Sequence, residues 1–239
     1  MYGRKKMRVH CVWEHNGEDT LLYTIEFVGA YTRGENLKTA IEKMPQEIGS
    51  YLNWRDENVP DCFDIIIAQE KKSNLTIKDA DSDVLFESEK QPLNIVEYKT
   101  LKALALKSAK NFLSLYQSIP DKNISVAPAR KTFYGQTPRS ANEMYEHTKN
   151  VNAYYFAEIG VEADNVGDIF ECRNRGFERL EKKSDFLKNS VIEGSYGELW
   201  TLRKVLRRFI WHDRIHARAM YRMATKVYGD NKVENPFYF

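Results

Sequence analysis

Apolar residues recur along this chain with two different periods. Up to about residue 90 the runs are short and mixed. Val9 to Trp13 is β-rich, Asn16-Gly17 offers a tight turn, and Leu21 to Val28 continues as a second strand. Leu37, Ile41, Ile48 and Leu52 recur at helical spacing and predict a helix over residues 37–54. Cys62 to Ala68 reads as another strand. Lys71 to Pro92 is polar apart from Val84-Leu-Phe86, and is expected as a strand or loop leading into a linker.

From Asn94 onward the period becomes helical. A first long helix is expected from Ile95 to Ile119, with Leu101, Leu104, Ala105, Phe112 and Tyr116 as core positions and Pro120 as its stop. Thr137 can cap a second helix, with Pro138 at its first position, running to about Glu158. A third spans about Asp168 to Lys183, built on Ile169, Phe170, Phe177 and Leu180. Ser195-Tyr-Gly-Glu198 has the form of a capping box opening a fourth, which ends near Tyr228 before Gly229. The expected fold class is therefore α+β. Residues 1–90 form a small module of antiparallel sheet plus helix, and residues 91–239 form an antiparallel four-helix bundle with no intervening strands.

Composition narrows the setting. Among 239 residues, 36 basic and 34 acidic side chains nearly cancel to +2, so bulk charge favours neither nucleic acid nor an acidic membrane surface. The basic start Tyr2-Gly-Arg-Lys-Lys6 reads as a solvated terminus. No apolar run follows it as a secretory signal would require, and Phe63 to Ala68 is far too short to span a bilayer. The three cysteines, Cys11, Cys62 and Cys172, are widely spaced without a Cys-x-x-Cys pattern. A protein of the reducing cytoplasm is expected, with Cys172 read as a buried structural residue or as a reactive thiol.

The candidate chemistry lies in the histidines. His212 and His216 stand four apart in Arg207-Arg-Phe-Ile-Trp-His-Asp-Arg-Ile-His216, and His147 closes Met144-Tyr-Glu-His147. Positions i and i+4 share one helix face, so the pair can grip one ion and a third imidazole from a facing helix can complete the set. Three protein ligands leave a position open for water or substrate, the mark of a catalytic rather than a structural metal site. Val205, Arg208, Phe209, Ala219 and Met223 share the face of His212, which is mostly apolar and is expected inside. Arg203, Arg207, Arg214 and Arg218 are expected on the wet side. Around His147 the inner face collects Glu143, Met144, Val151, Tyr154 and Glu158, with Asn142, Tyr145, Lys149 and Asn152 outside. The competing reading makes these histidines hydrogen-bonded core residues. Glu143 and Glu158 are the nearest acceptors by angle.

At these residues the chain resembles the DinB-like superfamily, which includes mycothiol-dependent maleylpyruvate isomerases and bacillithiol S-transferases. The resemblance covers about Leu93 to Tyr228. It is carried by Ser140-Ala-Asn-Glu-Met-Tyr-Glu-His147, by Tyr154-Tyr155, and by the run from Arg203 to His216. It implies a four-helix bundle, a zinc- or nickel-type ion on His147, His212 and His216, and often a homodimer. Phe27-Val-Gly-Ala-Tyr-Thr-Arg-Gly-Glu-Asn-Leu-Lys-Thr-Ala-Ile41 is similar to the HicB-like antitoxin domain, with Gly29, Gly34 and Ala40 at matching spacing. A generic strand–turn–helix reads equally well there.

Two functions follow as expectations. The first is a metal-dependent enzyme acting on a small molecule, of thiol S-transferase or related hydrolase or isomerase type, in which a low-molecular-weight thiol can serve as cofactor. In it Arg208 would hold a substrate carboxylate and Tyr154 would donate a proton or hydrogen bond. The second is a non-catalytic interaction protein whose amino-terminal module binds a partner. An arginine-rich nucleic-acid contact along the fourth helix is disfavoured, because Glu198 and Asp213 dilute it.

Overall fold

The computed structural model describes residues 6–132 and 135–239. Residues 2–5 of the basic start lie outside the described residues. The chain divides into two compact units, one reaching Glu89 and one running from Lys90 to Phe237.

In the first unit, β1 (Met7–His15), β2 (Thr20–Thr24), β3 (Tyr31–Gly34) and β4 (Phe63–Lys72) form one sheet in the order β3-β2-β1-β4. β1–β2 and β2–β3 are antiparallel. β4 runs parallel to β1, so the sheet is mixed and not purely antiparallel as expected. The expected strand from Leu21 to Val28 stops at Thr24, because the Thr24 hydroxyl and amide both bond into the turn that follows, to Phe27 and Ala30 carbonyls. α1 (Leu37–Trp54) packs on β2 and β3 and is capped by the Asn36 side chain, which accepts from the Thr39 amide. A side chain at Gly34 would sit 2.9 Å from the Thr39 side chain, so the entry to α1 needs glycine. Glu14 is fully buried beneath this sheet and accepts from the Ser82 hydroxyl (2.5 Å) and the Asp83 amide (3.1 Å).

The second unit is built on α2 (Ile95–Ser118), α3 (Ala141–Ala157), α4 (Ile169–Leu180) and α5 (Leu202–Tyr228). α5 packs on α2 and α3, and α4 packs on the same two helices. Phe156, Phe177 and Phe209 meet at the centre with ring centroids 5.2–6.0 Å apart. A Cβ on Gly176 would lie 2.1 Å from the Phe156 ring, so glycine is what allows α3 and α4 to approach. Two expected helix starts are displaced by caps closer to the helices. α3 begins after Ser140, whose hydroxyl and Glu143 form a reciprocal capping box. Thr137 instead bonds to the Arg130 carbonyl. α5 begins after Thr201, while Ser195–Gly197 is a separate turn. Nor are the helices joined without strands. Short hairpins pair β5 (Lys131–Thr132) with β6 (Gly135–Gln136), and β7 (Ile192–Glu193) with β8 (Leu199–Trp200).

The expected wet arginine face of α5 is also overturned. Arg207 and Arg214 are buried, and Arg203 pairs with Glu97. The carboxyl-terminal aromatic segment folds back over this side. The Arg214 and Arg218 guanidinium groups lie 5.2 Å and 4.5 Å from the Phe239 ring centre, and Phe237 is fully buried. α5 is thus buried on nearly every side, and its central charges are neutralised internally. Arg173 and Asp213, both inaccessible, form a two-pronged pair at 2.6 and 2.9 Å. The same guanidinium donates to Asn152 Oδ1 on α3 and to the Ala105 carbonyl on α2. One ion pair therefore ties all four helices. Cys11, Cys62 and Cys172 are free thiols, and Cys11 and Cys172 are buried. Among the described residues no helix is long and apolar enough to cross a membrane.

Candidate metal centre

The helical spacing sets His212 above His216 on α5, and α3 carries His147 to them. Ring centroids are 4.5 Å apart for His212–His216, 4.7 Å for His147–His216 and 5.1 Å for His147–His212. One nitrogen from each ring lies within 4.8 Å of the other two. Metal–nitrogen bonds of about 2.1 Å call for somewhat closer donors. His212 is buried, His216 half-buried and His147 exposed, so the cluster runs from the core out to solvent.

No hydrogen bond to a protein group is made by any of the three imidazoles among the described residues. His212 Nδ1 is buried and without a partner. The reading of these residues as hydrogen-bonded core histidines therefore lacks acceptors. Glu143, expected as one, accepts from the Arg139 and Ser140 amides. Glu158, the other, accepts from the Ser195 amide. Burial holds the His212 pKa well below the ordinary histidine range, and the neighbouring His216 and His147 push it the same way. Burial, reinforced by His147, takes His216 down to about 3, and burial lowers His147 as well. All three rings are thus neutral at pH 7, each with a lone pair to offer. That donor set fits a divalent zinc- or nickel-type ion.

The other two expected site residues have partners of their own. Arg208 is buried, but its Nη2 donates to Glu198 at 2.7 Å and its guanidinium lies 4.8 Å from the Trp211 ring centre. Tyr154 is 37% exposed and packs against Tyr155 and the Trp200 edge; the aromatic ring beside His212 belongs to Tyr155, which is 5% exposed. The reason is helical phase. Tyr145, Thr148, Asn152 and Tyr155 are buried, so the core direction of α3 lies about 120° from His147 at 100° per residue. Tyr154 falls on the solvent side of His147 and Tyr155 on the core side. His147 stands at the margin of the buried face, whereas the sequence reading centred the inner face on it.

An open cleft of about 500 Å3 borders His147 and is also lined by Gln136, Thr137, Arg139 and Glu143. Arg139 carried no sequence signal, since it precedes α3 and joins the site only through the fold of the preceding hairpin. No family model matches this chain, and no curated protein or solved structure matches it.

Proposed function

We propose that this protein is a metal-dependent enzyme of DinB-like type. Its second unit is read as an antiparallel four-helix bundle holding a zinc- or nickel-type ion on His147, His212 and His216. The observation that carries the reading is the convergence of three neutral imidazole nitrogens within 4.8 Å, none with a protein hydrogen-bond partner. Such an ion supplies Lewis acidity and lowers the pKa of a coordinated water or small thiol. The substrate is a small molecule that enters by the cleft beside His147, and the reaction belongs to thiol S-transfer or a related hydrolysis or isomerisation. The chain's own residues divide the remaining work. Asp213, gripped by Arg173, holds α5 in register at the level of both of its histidines. Tyr155, backed by Trp200, walls the buried side of His212 and excludes water there. The Arg208–Glu198 pair, with Lys204, closes that wall as a neutralised cluster.

The test is metal content of protein purified without a histidine tag, followed by a thiol-transfer and ester- or amide-hydrolysis screen. About one ion per chain is expected, lost on His212→Ala with the fold intact, and turnover should vanish with it. Metal well below one per chain that soaking does not restore refutes the reading.

One feature of the first unit supports a second role. Strand β3 ends at Gly34, where glycine is required, and leads directly into α1. That order agrees with a HicB-like module that binds a partner. Partner capture that persists in His212→Ala would assign this role to the first unit.

A further inference from the structure

The cleft beside His147 carries a guanidinium and a carboxylate that make no direct ion pair with one another. Arg139 donates through Nε to the Ala127 carbonyl at 2.9 Å, and its terminal nitrogens meet no acceptor among the described residues. Glu143 takes the Arg139 and Ser140 amides on Oε2 alone, at 2.7 and 3.2 Å, which leaves Oε1 without a partner. The two side chains line one wall, form no ion pair together, and flank His147. A simple anion site would not present a carboxylate to its ligand, and a simple cation site would not present a guanidinium.

We propose that this cleft recognises a compact zwitterion of the α-amino-acid kind, its carboxylate on Arg139, its ammonium on Glu143 Oε1, and its side chain directed toward His147. This deepens the metal-dependent reading and rests on it only for the placement of the reacting end. The two charged contacts exist without the ion. A guanidinium binds a carboxylate through two parallel hydrogen bonds, and an ammonium is bound well by a single ionised oxygen. Hydrogen bonds to the backbone fix the spacing of the two groups, because Glu143 is held by the capping box and Arg139 by its bond to Ala127.

The experiment measures calorimetric binding of L-methionine, L-methioninamide and N-acetyl-L-methionine, each in metal-loaded and in chelator-treated protein, with metal content read on the same samples. The amide lacks the carboxylate and the acetyl derivative lacks the ammonium. L-methionine is expected to bind at least roughly tenfold more tightly than either derivative, in both metal states. Arg139→Leu should erase the preference over the amide, and Glu143→Gln the preference over the acetyl form, while metal content is unchanged. Glu143→Gln keeps an oxygen for the capping box, and Arg139→Lys, which keeps the charge but not the two-pronged geometry, guards against a folding defect by retaining part of the preference. Equal binding of L-methionine and its acetyl derivative overturns the proposal in favour of an anion site. Absence of binding by all three in metal-replete protein overturns it also. Absence of metal with the preference intact would instead refute the metal reading and leave the zwitterion site standing.

Discussion

Replacing Asp213 by asparagine keeps its size and removes its charge, and the consequence follows from what surrounds Arg173. The guanidinium is wholly inaccessible. It has two bonds to Asp213, one to Asn152 and one to Ala105, and it lies 4.4 Å from the Phe209 ring centre. Without the carboxylate a full positive charge remains in the core with only neutral partners. Breaking a buried pair in this way costs about 3–5 kcal/mol. At about 2–4 °C per kcal/mol for a chain of this size, the unfolding midpoint should fall on the order of 10 °C. Arg173→Met strands the opposite charge and should cost a similar amount, reduced by whatever Asp213 recovers through protonation. The double variant Arg173→Met with Asp213→Asn removes both charges, and should regain much of the loss. A double-mutant cycle by denaturant unfolding checks this. Single losses that add within about 0.5 kcal/mol in the double variant would refute the view that the two residues act as one unit.

Two further outcomes are expected. Gly176→Ala places a methyl group 2.1 Å from the buried Phe156 ring, so overpacking of about 1–3 kcal/mol should outweigh the roughly 1 kcal/mol gained in helix propensity, and a stabilised variant in thermal unfolding would contradict the close helix approach. Lys204 is driven down to about 8 by burial and by repulsion from Arg208, which competes with it for Glu198. The native state then releases this proton before the unfolded chain does, so stability should rise with pH between about 8 and 10.5, by up to about 1.4 kcal/mol per pH unit. Chemical unfolding at pH 8 and 10 should register that rise in the wild type and lose it in Lys204→Met; a wild type with no such excess over the variant would refute it.

Local signals were legible wherever a group acts on its own neighbours. The apolar period over residues 37–54 matches α1 residue for residue, and α2 starts at Ile95 behind an Asn94 cap. The pairing of His212 with His216 was legible too, since i, i+4 spacing places two rings without any help from the fold, whereas His147 reaches them from α3. Caps were misjudged where several hydroxyls compete within a few residues. Thr137 and Ser195 both have the form of N-caps, but the Thr137 hydroxyl donates to the Arg130 carbonyl and the Ser195 amide donates to Glu158, 37 residues away in the chain. A wheel centred on His147 puts Tyr154 beside it, which holds only for a ligand that faces the middle of the core. A ligand that must also meet solvent stands at its edge.

Helix periods and the spacing of the imidazoles are properties of the chain alone, because hydrogen bonds and side-chain angles repeat locally. Which arginines become buried is not such a property. Arg173 and Asp213 lie 40 residues apart, and Phe239 covers Arg214 and Arg218 only because the chain end returns to α5. A charge can enter a core only when the fold delivers its partner, and no period along a single helix records where that partner will come from.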